Sequence, residues 1–138
     1  MGYTHYFYNN GKTDQKKYDL VLKDIRKIIK ANSEILANGM GDIGTKPTTT
    51  TRIAFNGIDG DSHETFLLPN EVSKLRDFDF CKTAAKPYDK VVVACLAVLH
   101  TADIGFSCSS DGSREECAEG VELAETILGR KFKNIGEA

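Results

Sequence analysis

The chain has no tryptophan and only three prolines among 138 residues, and it contains no long apolar run. Its longest, residues 91–99, falls well short of the ~20 residues that span a bilayer, so no membrane partner is expected. Neither sign of charge dominates: 18 Lys and Arg stand against 20 Asp and Glu, for a formal net charge of -2. That balance argues against bulk nucleic-acid binding, which needs a basic face, but leaves room for a small anion held by two or three cations. The four cysteines, Cys81, Cys95, Cys108 and Cys117, include no CxxC pair, which argues against structural zinc. Cys95 and Cys117 lie in apolar surroundings and read as core residues. The opening Met1-Gly2-Tyr3-Thr4-His5-Tyr6 is too polar for an export signal, and Tyr6 stands where a myristoylation motif needs Ser or Thr. A reducing compartment and free thiols are therefore expected.

What remains is the composition of one globular domain, with 41% hydrophobic and 28% charged residues. Residues 2–8 alternate like a strand, with Thr4, Tyr6 and Tyr8 on one side and Tyr3, His5 and Phe7 on the other. After the Asn9-Asn10-Gly11 turn, Thr13 is a candidate cap. Tyr18, Val21, Leu22, Ile25, Ile28 and Ile29 then recur at helical spacing, leaving the Lys and Arg residues of 14–31 as a solvated face. Residues 33–37 could form a short strand, and 38–51 a long loop able to cover a ligand. Residues 52–56 and 63–68 pattern as a hairpin, 69–75 as a helical turn and 78–81 as an extended segment. Pro87 suits the first position of a helix. The apolar run at 91–99 fits either a buried helix or a central strand, with length and the proline favouring the helix. A strand at 104–108, a turn at 109–112 and a helix at 114–128 ended by Gly129 complete the chain. The order β-α-β-β-β-α-β-α implies a single α+β domain over residues 1–138, an antiparallel or mixed sheet covered by two or three helices.

The leading site candidate is the segment 81–89. Lys82, Thr83, Lys86 and Tyr88 place two cations and two hydroxyls before a helix start carrying Asp89, a setting suited to phosphate or carboxylate. A polar loop with Asp89 favouring the first helical turn is the plainer reading. The second cluster is Asn56 with His63 and Glu64, which a hairpin would bring together as a base reader and an acid/base pair. His63-x-Thr65-apolar matches half of a two-histidine phosphoesterase pattern, but His5-Tyr6-Phe7 and His100-Thr101-Ala102 do not supply the other half. No spacing of the three histidines suggests a metal, and no cofactor is expected. Gly39-Met40-Gly41-Asp42-Ile43-Gly44 spells G-x-G-x-x-G, yet Thr45-Lys46-Pro47 cannot begin the helix a dinucleotide fingerprint requires. Asp111, at a strand end within Ser110-Asp111-Gly112, is a secondary candidate.

These segments together resemble a group of small phage-encoded proteins of unassigned function. The shared stretches are Gly2-Tyr3-Thr4-His5-Tyr6, Phe55-Asn56-Gly57, His63-Glu64-Thr65-Phe66, 80–89 and Ser110-Asp111-Gly112. The resemblance covers nearly the whole chain, although Phe7 stands where many such proteins have Trp. It implies a phage origin, a cytoplasmic location in the infected host and a site built on strand ends, but no activity. Two functions then compete. The first is sequestration of a host immune signalling nucleotide, a cyclic ADP-ribose isomer or cyclic dinucleotide. Lys82, Lys86 and Thr83 would hold phosphates, Asn56 would read a base or ribose, and Tyr6 or Tyr88 would stack, within a homo-oligomer. The second is a phosphodiesterase on the same nucleotides, with His63 or His5 as acid/base and Glu64 or Asp89 as its partner. A virion or host-protein adaptor is the plainest alternative.

Overall fold

A computed structural model describes residues 3–137; Gly2, at the start of the expected first strand, lies outside them. Five strands and three α-helices follow in the expected order, and both sheets are antiparallel. Strand β1 (Thr4–Asn9) lies between β4 (Phe78–Lys82) and β5 (Phe106–Ser110). Strands β2 (Arg52–Phe55) and β3 (Phe66–Pro69) form a separate hairpin. The pleat sorts β1 as its sequence pattern implies. His5 and Phe7 point into the core, while Tyr6 and Tyr8 point away from it.

Helix α1 (Gln15–Ala31) buries Tyr18, Val21, Leu22, Ile25, Ile28 and Ile29, the stripe that its spacing marked out. Its cap is Asp14 rather than Thr13: the Asp14 carboxylate accepts the Lys17 N–H at 3.0 Å, while the Thr13 hydroxyl accepts from Asn9 at 2.7 Å. Helix α2 (Asp89–Thr101) settles the ambiguity of 91–99, whose nine residues are all buried. A helix apolar on every side must be covered on every side, and α2 packs against α1, α3 and β5. Pro87 precedes it by two residues, and Tyr88 occupies the capping position. Helix α3 (Arg114–Leu128) opens with a reciprocal capping box between Ser113 and Glu116 and ends at Gly129 in the left-handed conformation.

Two expectations shift locally. Residues Ser33–Ile35 form a 3-10 turn, with only a bridge from Ala37 to Asn56 where a strand was expected. Ser109 and Ser110 belong to β5, so the turn before α3 starts at Asp111. All four cysteines are free and buried, and burial pushes the Cys81 and Cys108 thiols up to about 12. All three helices lie on the His5–Phe7 side of the three-stranded sheet: Tyr18 of α1 stacks on Phe106, Asp89 of α2 reaches His5, and α3 packs on α2. The opposite face of that sheet carries no helix among the described residues.

Candidate functional site

The 81–89 segment folds into two different environments. Residues 83–86 form a tight turn in which Ala84 and Ala85 adopt φ of 51° and 56° and the Lys86 N–H donates to the Thr83 carbonyl at 3.0 Å. Two successive left-handed residues are the signature of a type I′ turn, which usually calls for Asn-Gly. With alanines there instead, the turn is strained. It folds Thr83 back onto the head of α2, where its hydroxyl donates to Asp89.

Asp89 is the centre of a buried network. Its carboxylate accepts from His5 Nε2 at 2.5 Å, from the Thr83 hydroxyl, and from the Tyr3 hydroxyl at 3.3 Å. On the other side of the imidazole, Nδ1 lies 2.8 Å from the Ser110 hydroxyl, which itself accepts the Gly112 N–H at 2.9 Å. The strand register sets this up, because Ser110 and Cys81 both stand opposite His5 on the inward face. Burial disfavours the charge on Asp89, but the His5 hydrogen bond and charge, with Thr83 and Tyr3, outweigh it and hold the carboxyl below its usual range. Burial first, and then Asp89, push the Tyr3 phenol upward. The connectivity Ser110–His5–Asp89 is that of a hydrolase relay. Its geometry is not that of an open one: His5 is fully buried, Ser110 is 4% exposed, and the Ser110 oxygen is occupied by a backbone N–H. It works as a clamp that ties β1, β5, the turn and α2 together.

Several residues expected to meet a ligand are committed to the fold. Tyr88 is fully buried and donates to the Glu64 carbonyl at 2.6 Å, so it cannot stack on a base. The Asn56 carboxamide accepts the Gly57 and His63 N–H groups at 2.8 and 2.9 Å and donates to the Gly39 and His63 carbonyls at 3.2 and 2.9 Å. It staples the 57–63 loop and has no edge left to read a base. Thr83 and Asp89 are likewise engaged internally. Glu64 accepts the Lys82 N–H at 2.7 Å, capping β4, and makes no hydrogen bond to the exposed His63 ring. The two do not form the expected acid/base pair.

The two lysines serve different surfaces. Lys86 lines a hollow of about 300 Å³ at the head of α2, together with Tyr3, Asp89, Lys90, Glu116 and Glu119. The charges there are mixed, and Lys90 pairs with Glu119 at 3.7 Å. Lys82 instead projects from the open face of the three-stranded sheet. Opposite it is Thr4, and next along that face come the pairs Tyr6–Phe80 and Tyr8–Phe78. Tyr8, Phe78 and Phe80 are 46%, 44% and 47% exposed, a large fraction for three adjacent aromatics. Their rings form one surface: Phe78 lies 4.9 Å from Tyr8, 6.0 Å from Phe80 and 6.2 Å from Tyr6. Ser107 and Ser109 of β5 continue it. Asp111 borders it, accepting the Tyr6 hydroxyl at 3.0 Å, and that bond, foremost, raises the Tyr6 phenol above its usual range. Of the expected ligand contacts, this face unites Tyr6, Lys82 and Asp111. It adds Tyr8, Phe78 and Phe80, whose signal was the alternation of aromatics in both 3–8 and 78–80.

Compared with family models, curated proteins and solved structures, the chain matches none of them. Among the described residues no group of three His, Cys, Asp or Glu side chains is arranged to hold a metal ion. No helix among them is long and apolar enough to cross a membrane.

Proposed function

We propose that the protein binds a small phosphate-containing nucleotide on the open face of its three-stranded sheet. The base stacks on the Phe78–Phe80 surface, Tyr6 and Tyr8 flank it, and Lys82 takes a phosphate. The carrying observation is that Lys82 and Tyr6 share one sheet face with three exposed aromatics. Aromatic rings give a base a stacking surface, and a lysine at the rim supplies the charge. Cross-strand aromatic pairs stabilise a sheet only modestly, whereas a contiguous exposed apolar patch marks an interaction surface. The motif resemblance to phage proteins extends this to a biological role: sequestration, in the infected host's cytoplasm, of an immune signalling nucleotide such as a cyclic ADP-ribose isomer or a cyclic dinucleotide. A flat face holds such a ligand from one side, and a second copy packed over it would enclose the other. Cleavage of the nucleotide has weaker support, because His63 lacks its carboxylate partner and both nitrogens of His5 are engaged in the core.

The test is depletion of a nucleotide panel, with heat release and chromatography of whatever was bound. Intact ligand should be recovered. Phe80→Ala should weaken binding by roughly tenfold or more, on the stacking energy of ~1–3 kcal/mol per base. Lys82→Ala should weaken it comparably and flatten its salt dependence. Lys86→Ala should leave it unchanged. Depletion of none of the panel, or loss on Lys86→Ala with Lys82→Ala and Phe80→Ala unaffected, would overturn the proposal. Altered nucleotide in the released fraction would replace binding with cleavage.

A further inference from the structure

A second surface suited to an anion is built by elements other than the three-stranded sheet. Between the last turns of α1 and the segment 46–49 is a cleft of about 420 Å³, walled by Arg26, Ile29, Lys30, Lys46, Pro47 and Thr49. Three cations face it and no carboxylate does, on a chain whose net charge is -2. Among the described residues none of the three forms an ion pair. Lys30 complements the negative end of the α1 dipole. That accounts for neither Lys46 nor the placing of Arg26 four residues before Lys30, a spacing at which like charges repel.

Arg26 is also held in place. Its Nε donates to the Thr49 carbonyl at 2.6 Å and one terminal nitrogen to the Asn70 side chain at 2.9 Å, while the other terminal nitrogen has no partner among the described residues. Asn70 in turn donates to the Thr50 carbonyl at 2.8 Å, and Thr48 exchanges backbone bonds with Ala54 at 2.9 and 3.0 Å. The loop wall is therefore fixed before any ligand arrives, which lowers the entropic cost of binding. Half-buried Pro47 supplies an apolar floor between the charged rims.

We infer that this cleft binds an organic phosphate monoester, with the dianionic head among Arg26, Lys30 and Lys46 and an apolar body on Pro47. Three cations match a doubly charged head, and the volume suits a small molecule. The test is an NMR titration of the full chain with phenyl phosphate, inorganic phosphate and phenol. Phenyl phosphate should shift the amides of 26–33 and 46–50 saturably, and more weakly at high salt. Inorganic phosphate should bind roughly tenfold more weakly, since it leaves the apolar floor uncovered, and phenol should not saturate. Lys30→Glu with Lys46→Glu should abolish the response, and Lys46→Ala should weaken it several-fold; both side chains are exposed, so folding should survive. The inference is overturned if phenyl phosphate gives no saturable shifts there, if they survive the double charge reversal, or if inorganic phosphate binds equally well. Lys82→Ala should leave this titration unchanged, so its failure and that of the sheet-face proposal are read independently.

Discussion

His5→Ala should be the most destabilising single change at the candidate site, lowering the unfolding free energy by about 3–5 kcal/mol, the usual consequence of leaving a buried carboxylate without its main partner. The imidazole is fully buried and bridges the Asp89 carboxylate at 2.5 Å to the Ser110 hydroxyl at 2.8 Å. Without it, Asp89 keeps its burial and loses its main compensation. Urea unfolding monitored by circular dichroism measures the loss. A His5→Ala protein within about 1 kcal/mol of the parent would show that the network contributes little. In the double variant His5→Ala with Asp89→Ala, part of the loss should return, because no unpaired carboxylate is left behind.

The same network predicts a pH dependence. Asp89 is held below its usual range in the folded state, so the unfolded chain binds its proton more readily. The resulting stability is fully present above the ordinary aspartate value of about 3.9 and is lost as pH falls through the lower folded value. Asp89→Asn should remove that component. The difference between the two proteins' stabilities should be constant near neutrality and shrink below about pH 4. A difference that stays flat down to acid unfolding would refute the assignment.

Gly57→Ala should come next, costing about 3 kcal/mol, at the upper end of ordinary overpacking. A methyl group there would lie 2.1 Å from the Asp61 carbonyl oxygen and 3.0 Å from the Tyr88 ring. The obstacle at Asp61 is backbone, so no rotamer change relieves it. Asn56→Ala acts on the same loop, stranding the Gly57 and His63 N–H groups at about 1–3 kcal/mol for a buried unsatisfied group. Thermal melts of both variants, with Gly60→Ala as a control in open space, test this. If Gly57→Ala melts with the control, the loop is more plastic than its contacts imply. On this account the Phe55-Asn56-Gly57 motif holds a loop in place, and nucleotide binding should persist in any variant that still folds.

Local patterning carried most of the fold. The helical stripe from Tyr18 to Ile29, the alternation in β1, the hairpin and the Gly129 stop all depend on periods of 3.6 or 2 and on short-range chemistry. These survive in a single sequence because the core imposes them residue by residue. Even the preference for a helix at 91–99 could be reached from length, whereas what buries all its sides could not.

The candidate site was only half legible, for a physical reason. Polar residues near strand ends look alike in sequence whether they bind a ligand or staple a loop. Asn56, Thr83, Tyr88 and Asp89 turned out to be staples once their partners, up to 86 residues away, were known. The strained Ala84-Ala85 turn hides from sequence because neither residue advertises a left-handed backbone. Lys82 and Lys86, four apart in the chain, diverge because one ends a strand and the other follows that turn. The segment 81–89 by itself determined that two cations, two hydroxyls and a carboxylate would stand between a strand and a helix start. Tertiary structure alone decided that the carboxylate belongs to His5 and that Lys82 belongs to an aromatic face, because strand register assigns each side chain to one side of the sheet.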